Sequence, residues 1–103
     1  VFDGIVRPAE DGRPLAALVY EAYEPMTSRE LHRLAQTTLA THGLLAIVVQ
    51  HSTGRVTAEE ASFRLSIGAA HRAEAIRAAD EFISEMKKVV PIWKTPEFAG
   101  VSG

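Results

Sequence analysis

The sequence predicts an α+β fold, a mixed or antiparallel sheet with helices packed on it. Three observations lead there. Two stretches space their apolar residues as amphipathic helices do, and at least four short apolar runs read as strands. Helices and strands follow in mixed order and do not alternate strictly, which favours a sandwich of helices on one sheet.

Residues 1–7 and 14–23 read as the first two strands. Pro8-Ala9-Glu10-Asp11-Gly12-Arg13 separates them, and its Asp-Gly and proline predict a turn or mobile loop. The second strand, centred on Leu18-Val19-Tyr20, is expected to be buried over much of its length. Pro25-Met26 breaks it, and Thr27-Ser28-Arg29-Glu30 has the form of a capping box with Glu30 reaching back to the cap. Leu31, Leu34, Ala35, Thr38 and Leu39 then share one helix face, and Gly43 supplies a left-handed stop. Leu44 to His51 is apolar enough for a central strand, followed by a turn at Ser52-Thr53-Gly54. Residues 62–69 alternate, with Phe63, Leu65 and Ile67 on one face and Arg64 and Ser66 on the other. The second helix runs from about Arg72 to Lys88 on a stripe of Ala75, Ile76, Ala79, Phe82, Ile83 and Met86. Pro91 disfavours helical backbone at Val90 and ends it.

The 103 residues, 47% apolar and 23% charged, fit one soluble domain spanning residues 1–103. A core of this size leaves little stability to spare, so an oligomeric interface would help. A net charge of −2 argues against a general nucleic-acid binder. The chain has no cysteine, which removes disulfides, thiolate zinc sites and a cysteine nucleophile. No apolar run approaches the roughly 20 residues of a membrane span, and no signal-peptide pattern is visible, so the cytoplasm is expected. Val1 already lies in a strand-like run, as in a processed chain or part of a longer one.

The residues that can carry chemistry concentrate in the last third. His71 and Arg72 stand where a strand hands over to a helix, where free N–H groups and the dipole favour an anion and Arg72 adds a bidentate fork. Pairing of Arg72 with Glu74 or Asp80 is the plainer account. Lys87 and Lys88 complement the dipole at the other helix end. Trp93 beside Lys94 is the usual pattern of a packed aromatic next to an exposed charge. Individually these signals are weak. Their joint spacing around the Pro91 turn predicts that the chain folds back and the cations converge on a small anionic substrate. His32, His42 and His51 lack metal-ligand spacing, and no metal site is expected.

Taken together, Ala70-His71-Arg72, Lys87 and Pro91-Ile92-Trp93-Lys94 resemble the catalytic (large) subunit of molybdopterin synthase. Gly4-Ile5-Val6-Arg7, the stretch from Leu18 to Met26, and His51-Ser52-Thr53-Gly54 continue the resemblance over nearly the whole chain. The chain departs from the family pattern at Ser52, where arginine is usual, and at Pro8-Ala9, where Asn-His is usual.

The resemblance implies an α/β hammerhead-like sandwich and a sulfur-inserting enzyme of molybdenum cofactor biosynthesis. Its substrate would be cyclic pyranopterin monophosphate (precursor Z). Its sulfur would come from a ubiquitin-like small subunit carrying a thiocarboxylate on a C-terminal Gly-Gly, so no cofactor is implied. Two large subunits would form a homodimer within a heterotetramer. By family position Lys87 and Lys94 are the implied catalytic pair, with His71, Arg72 and Arg7 binding substrate and Lys88 and Arg13 as additional candidates. The family also implies a further N-terminal segment, and a C-terminal tail longer than Phe98-Ala99-Gly100-Val101-Ser102-Gly103 that helps form the partner channel. The alternative is a non-catalytic docking module of the same fold that binds a sulfur-carrier tail.

Overall fold

The computed structural model describes residues 1–99; Gly100 to Gly103, the end of the tail singled out above, lie outside the described residues. The elements run β1 (Phe2–Ile5), β2 (Ala9–Glu10), β3 (Arg13–Ala22), α1 (Met26–His42), β4 (Ala46–His51), β5 (Gly54–Thr57), β6 (Ala61–Gly68), α2 (Arg72–Val89) and β7 (Ile92–Phe98). The α+β expectation holds, with every strand pair antiparallel. The strands form two sheets where the sequence suggested one, and the molecule is correspondingly long, 53 × 29 × 17 Å.

The first sheet has the order β1-β6-β4 and carries both helices. β6 is its centre, with Phe63 and Leu65 buried and Arg64 exposed, the alternation read from the sequence. Phe63 and Leu65 pack with Leu34 of α1 and with Ala79 and Phe82 of α2 in the larger core cluster. β4 was expected to be central, yet it lies at the edge of this sheet. Its apolar run hides a one-sided strand: Ile47 and Val49 face the core, while Val48 is 55% exposed and Leu45, just before the strand, 74%. The α2 stripe needs a similar correction. Ile76 is 52% exposed and Ala78 is buried, because the helix lays Ala78, Ala79 and Phe82 on the sheet.

The second sheet is built around β3. β7 pairs with it along one edge, from Leu15↔Phe98 to Ala22↔Ile92, and β5 along the other, from Ala17↔Thr57 to Tyr20↔Gly54. The connector does turn at Asp11-Gly12 as read, and the residues on either side also pair, making it a hairpin. Glu10 pairs with Arg13, and Asp11 and Gly12 between them have φ of 52° and 73°, as a two-residue type I′ turn requires. Val6, Leu15, Leu18 and Val56 make the smaller core here. β5 and β7 went unread: β5 buries only Val56 fully, and β7 is largely polar with a proline inside it.

The α1 stop at Gly43 is as expected, left-handed at φ 59°, with the Leu44 N–H reaching the Leu39 carbonyl. The capping box does not form. The helix already begins at Met26 after Pro25, and Glu30 accepts instead from Arg33 at 2.6 Å. Thr27 is buried and its hydroxyl lies 2.9 Å from the Pro91 carbonyl, a distant tertiary partner. Among the described residues no helix is long and apolar enough to cross a membrane.

Candidate active site

The two sheets meet along a seam, and a cleft of about 860 Å³ opens there. Its walls come from the start of the chain (Arg7), from Tyr20 of β3, from His51 at the end of β4, from Lys87 in the last turn of α2, and from Trp93 and Lys94 of β7.

The reversal after α2 brings the two lysines together. Val90 is buried and caps the helix, its N–H bonding to the Met86 carbonyl at 3.1 Å. The Ile92 N–H then reaches the Val90 carbonyl at 2.9 Å across Pro91, a three-residue turn that starts β7. The Pro91 carbonyl also accepts from the Tyr23 N–H at 3.1 Å, which with the Thr27 hydroxyl fastens the turn to the β3–α1 connector. Lys87 before this turn and Lys94 after it line the same cleft, and neither forms an ion pair among the described residues.

A polar chain crosses the seam between the sheets. The Tyr20 hydroxyl donates to Ser62 Oγ at 3.0 Å, and Ser62 donates to the Gly4 carbonyl at 3.3 Å. Tyr20 pairs directly with Lys94 across β3 and β7, so their side chains share a sheet face. The His51 ring meets Tyr20 edge-on, with centroids 5.0 Å apart.

The structure therefore gathers Lys87, Lys94 and Arg7 and leaves the other candidates elsewhere. His71 caps α2 through its backbone alone, and Arg72 opens the helix, exposed and without the expected acidic partner among the described residues. From Arg72 to Lys87 the helix rises roughly 22 Å at about 1.5 Å per residue. The expected convergence of both helix ends does not occur within one copy, because a straight helix holds them apart. Lys88 points away from the cleft and pairs with Glu85 at 3.5 Å. Arg13 lies over the Phe98 ring, 3.9 Å from its centroid, at the hairpin end of the second sheet. Tyr20 and Ser62 line the cleft although the sequence did not reveal them: only the tertiary fold brings their hydroxyls together from different sheets.

The resolved charge perturbations lie on exposed arginine–carboxylate pairs, none of which includes Lys87 or Lys94. Hydrogen bonds from Arg64 hold Asp3 below the ordinary carboxylate range, and those from Arg55 do the same for Glu97. No three His, Cys, Asp or Glu side chains cluster to hold a metal among the described residues.

The model of the MoaE protein family matches residues 1–89. A molybdopterin synthase catalytic subunit of Coccidioides immitis is 38% identical over 100 residues, which is 97% of this chain and 51% of that protein. The chain spans about half the length of the curated relatives it matches. The crystal structure of molybdopterin synthase from Staphylococcus aureus superposes with a TM-score of 0.88 at 28% identity, over 97% of this chain and 73% of that one. A chain of the Helicobacter pylori complex of subunits 1 and 2 of molybdopterin-converting factor matches with a TM-score of 0.75 at 28% identity, over 95% of this chain and 64% of that one. A family match over most of the length, on the same two-sheet fold, has one reading: the chain belongs to the MoaE protein family.

Proposed function

We propose that this chain is the catalytic part of a molybdopterin synthase, converting precursor Z to molybdopterin with two sulfurs delivered by a thiocarboxylated small subunit. The observation that carries the reading is the pair Lys87 and Lys94, unpaired and held in one cleft by the Pro91 turn. Two ammonium groups and the Arg7 guanidinium attract both anions the reaction needs, the cyclic phosphate and the thiocarboxylate tail. The amines also supply groups for the proton transfers that accompany sulfur addition. The sulfur arrives on the partner, in keeping with a chain that has no cysteine, and no resident cofactor is needed.

A relative carrying the name of the catalytic subunit, and a matching chain found in a two-subunit complex, support a small-subunit partner. We read the assembly as a heterotetramer around a homodimer. His71 and Arg72 sit too far along α2 to serve the cleft of their own copy, so in this reading they reach the cleft of the second copy. The reaction is placed in the cytoplasm, and residues 1–103 are read as one domain.

The test is reconstitution. The chain is mixed with thiocarboxylated small subunit and precursor Z, and molybdopterin is followed as its fluorescent oxidation product. Lys87→Ala and Lys94→Ala are each expected to lower the rate by about 10²-fold or more with the unfolding midpoint unchanged. Normal activity in both variants would sink the assignment. Absence of product from the unaltered chain, with the complex still forming on a sizing column, would favour the docking-module alternative.

A further inference from the structure

We infer that His51 is the proton acceptor of the lysine cleft, a role that rests on the reading of Lys87 and Lys94 given above. Three observations carry it. His51 Nδ1 lies 2.7 Å from the Ser52 carbonyl oxygen. A carbonyl only accepts, so Nδ1 carries the ring proton and Nε2 of the neutral ring keeps a lone pair. Second, Nε2 has no hydrogen-bond partner among the described residues, although no buried side-chain nitrogen or oxygen is left unpaired. Nε2 is therefore not fully buried. Third, His51 lines two hollows. One is the lysine cleft; the other, of about 300 Å³, is lined by Ser52, Gln50 and Arg64. His51 thus stands in the wall of the cleft that Lys87 and Lys94 also line.

The ring is also held in place. Tyr20 packs edge-on to it, and Phe63 lies 6.0 Å away at a tilt of 51°. Tyr20 is in turn fixed by its hydroxyl bond to Ser62. A ring with one nitrogen pinned to a carbonyl, its tautomer set and its other nitrogen free is arranged to take a proton. In the step, an O–H, N–H or S–H bond of the reactant held by the lysines breaks and its electron pair stays on the reactant. An N–H bond forms at Nε2. The imidazolium keeps its Nδ1–H bond to the Ser52 carbonyl and releases the Nε2 proton to water in the open cleft.

The experiment measures turnover of precursor Z by the complex with thiocarboxylated small subunit for His51→Ala and His51→Asn. Asn can still donate to the Ser52 carbonyl but offers nothing at the Nε2 position. Both variants are expected to lose about 10²-fold in kcat with KM within about twofold. Added imidazoles should restore His51→Ala, and faster as their basicity rises. A kcat within about threefold of the unaltered chain in either variant overturns the role. So does rescue that is independent of basicity, which would mark the ring as a space-filler. Lys94→Ala measured alongside separates the two readings. Full activity there overturns the lysine assignment, whereas full activity of the His51 variants beside an inactive Lys94→Ala overturns the proton-acceptor role alone.

Discussion

The two sheets of this molecule are held together in different ways. The β1-β6-β4 sheet is covered by α1 and α2, and its core is large: Phe63, Leu65, Ala79 and Phe82 interlock, with Phe63 and Phe82 stacked at 6.4 Å. The sheet around β3 has only a small cluster of Val6, Leu15, Leu18 and Val56. It depends more on its backbone ladders, on Arg13 over Phe98 and on the bidentate Arg55–Glu97 pair. Burial of apolar area stabilises far more than exposed charge pairs do. The difference teaches that the helix-covered sheet anchors the fold. The barer sheet gives one side of the cleft and places Lys94 and Tyr20 on it.

This contrast can be broken from either side. Phe82→Ala should cost about 3–5 kcal/mol, because a rigid cluster cannot close over the cavity. Leu18→Ala should fall near the low end of the Leu→Ala range, about 2 kcal/mol, since the smaller cluster borders an open cleft. Urea unfolding of both variants tests the order, and an equal or reversed loss would refute the division of labour. Tyr20→Phe tests the seam itself. It removes the hydroxyl bond to Ser62, which keeps its own bond to Gly4, and should cost about 0.5–1.5 kcal/mol in the same titration.

Acid should have the smallest effect, and similar in both sheets. Asp3 is paired with Arg64 in the first sheet and Glu97 with Arg55 in the second, and both carboxyls titrate below their ordinary range in the folded chain. A depressed folded value means that the stabilisation is complete above the unfolded carboxylate range. It is lost as pH falls from about 4 through the folded values. Asp3→Asn and Glu97→Gln should each flatten part of that decline in the melting temperature. An unchanged slope in both would show that other carboxylates drive it.

Much of the architecture was legible in the chain. The alternation of Phe63, Leu65 and Ile67 gave the central strand's inward face, Gly43 the end of the first helix, and Pro91 the end of the second. These are local signals, set by backbone sterics and by the side-chain period, and they need no distant partner. That Lys87 and Lys94 would come near one another was also legible, because a short proline turn is enough to bring their segments together.

What the sequence left undecided turns on distant partners. Thr27 has the makings of a cap, yet its hydroxyl goes to Pro91, which only the packed structure brings near. β7 looks like a polar tail until β3 offers it a ladder of hydrogen bonds. His71 and Arg72 fit an anion site by their chemistry, but a rigid helix separates them from Lys87 within one copy. Residue type and local spacing thus determined the elements, their ends and the supply of cations. Which elements pair, and which side chains share the cleft, was decided by tertiary structure, because such contacts depend on strand register and helix direction over long separations.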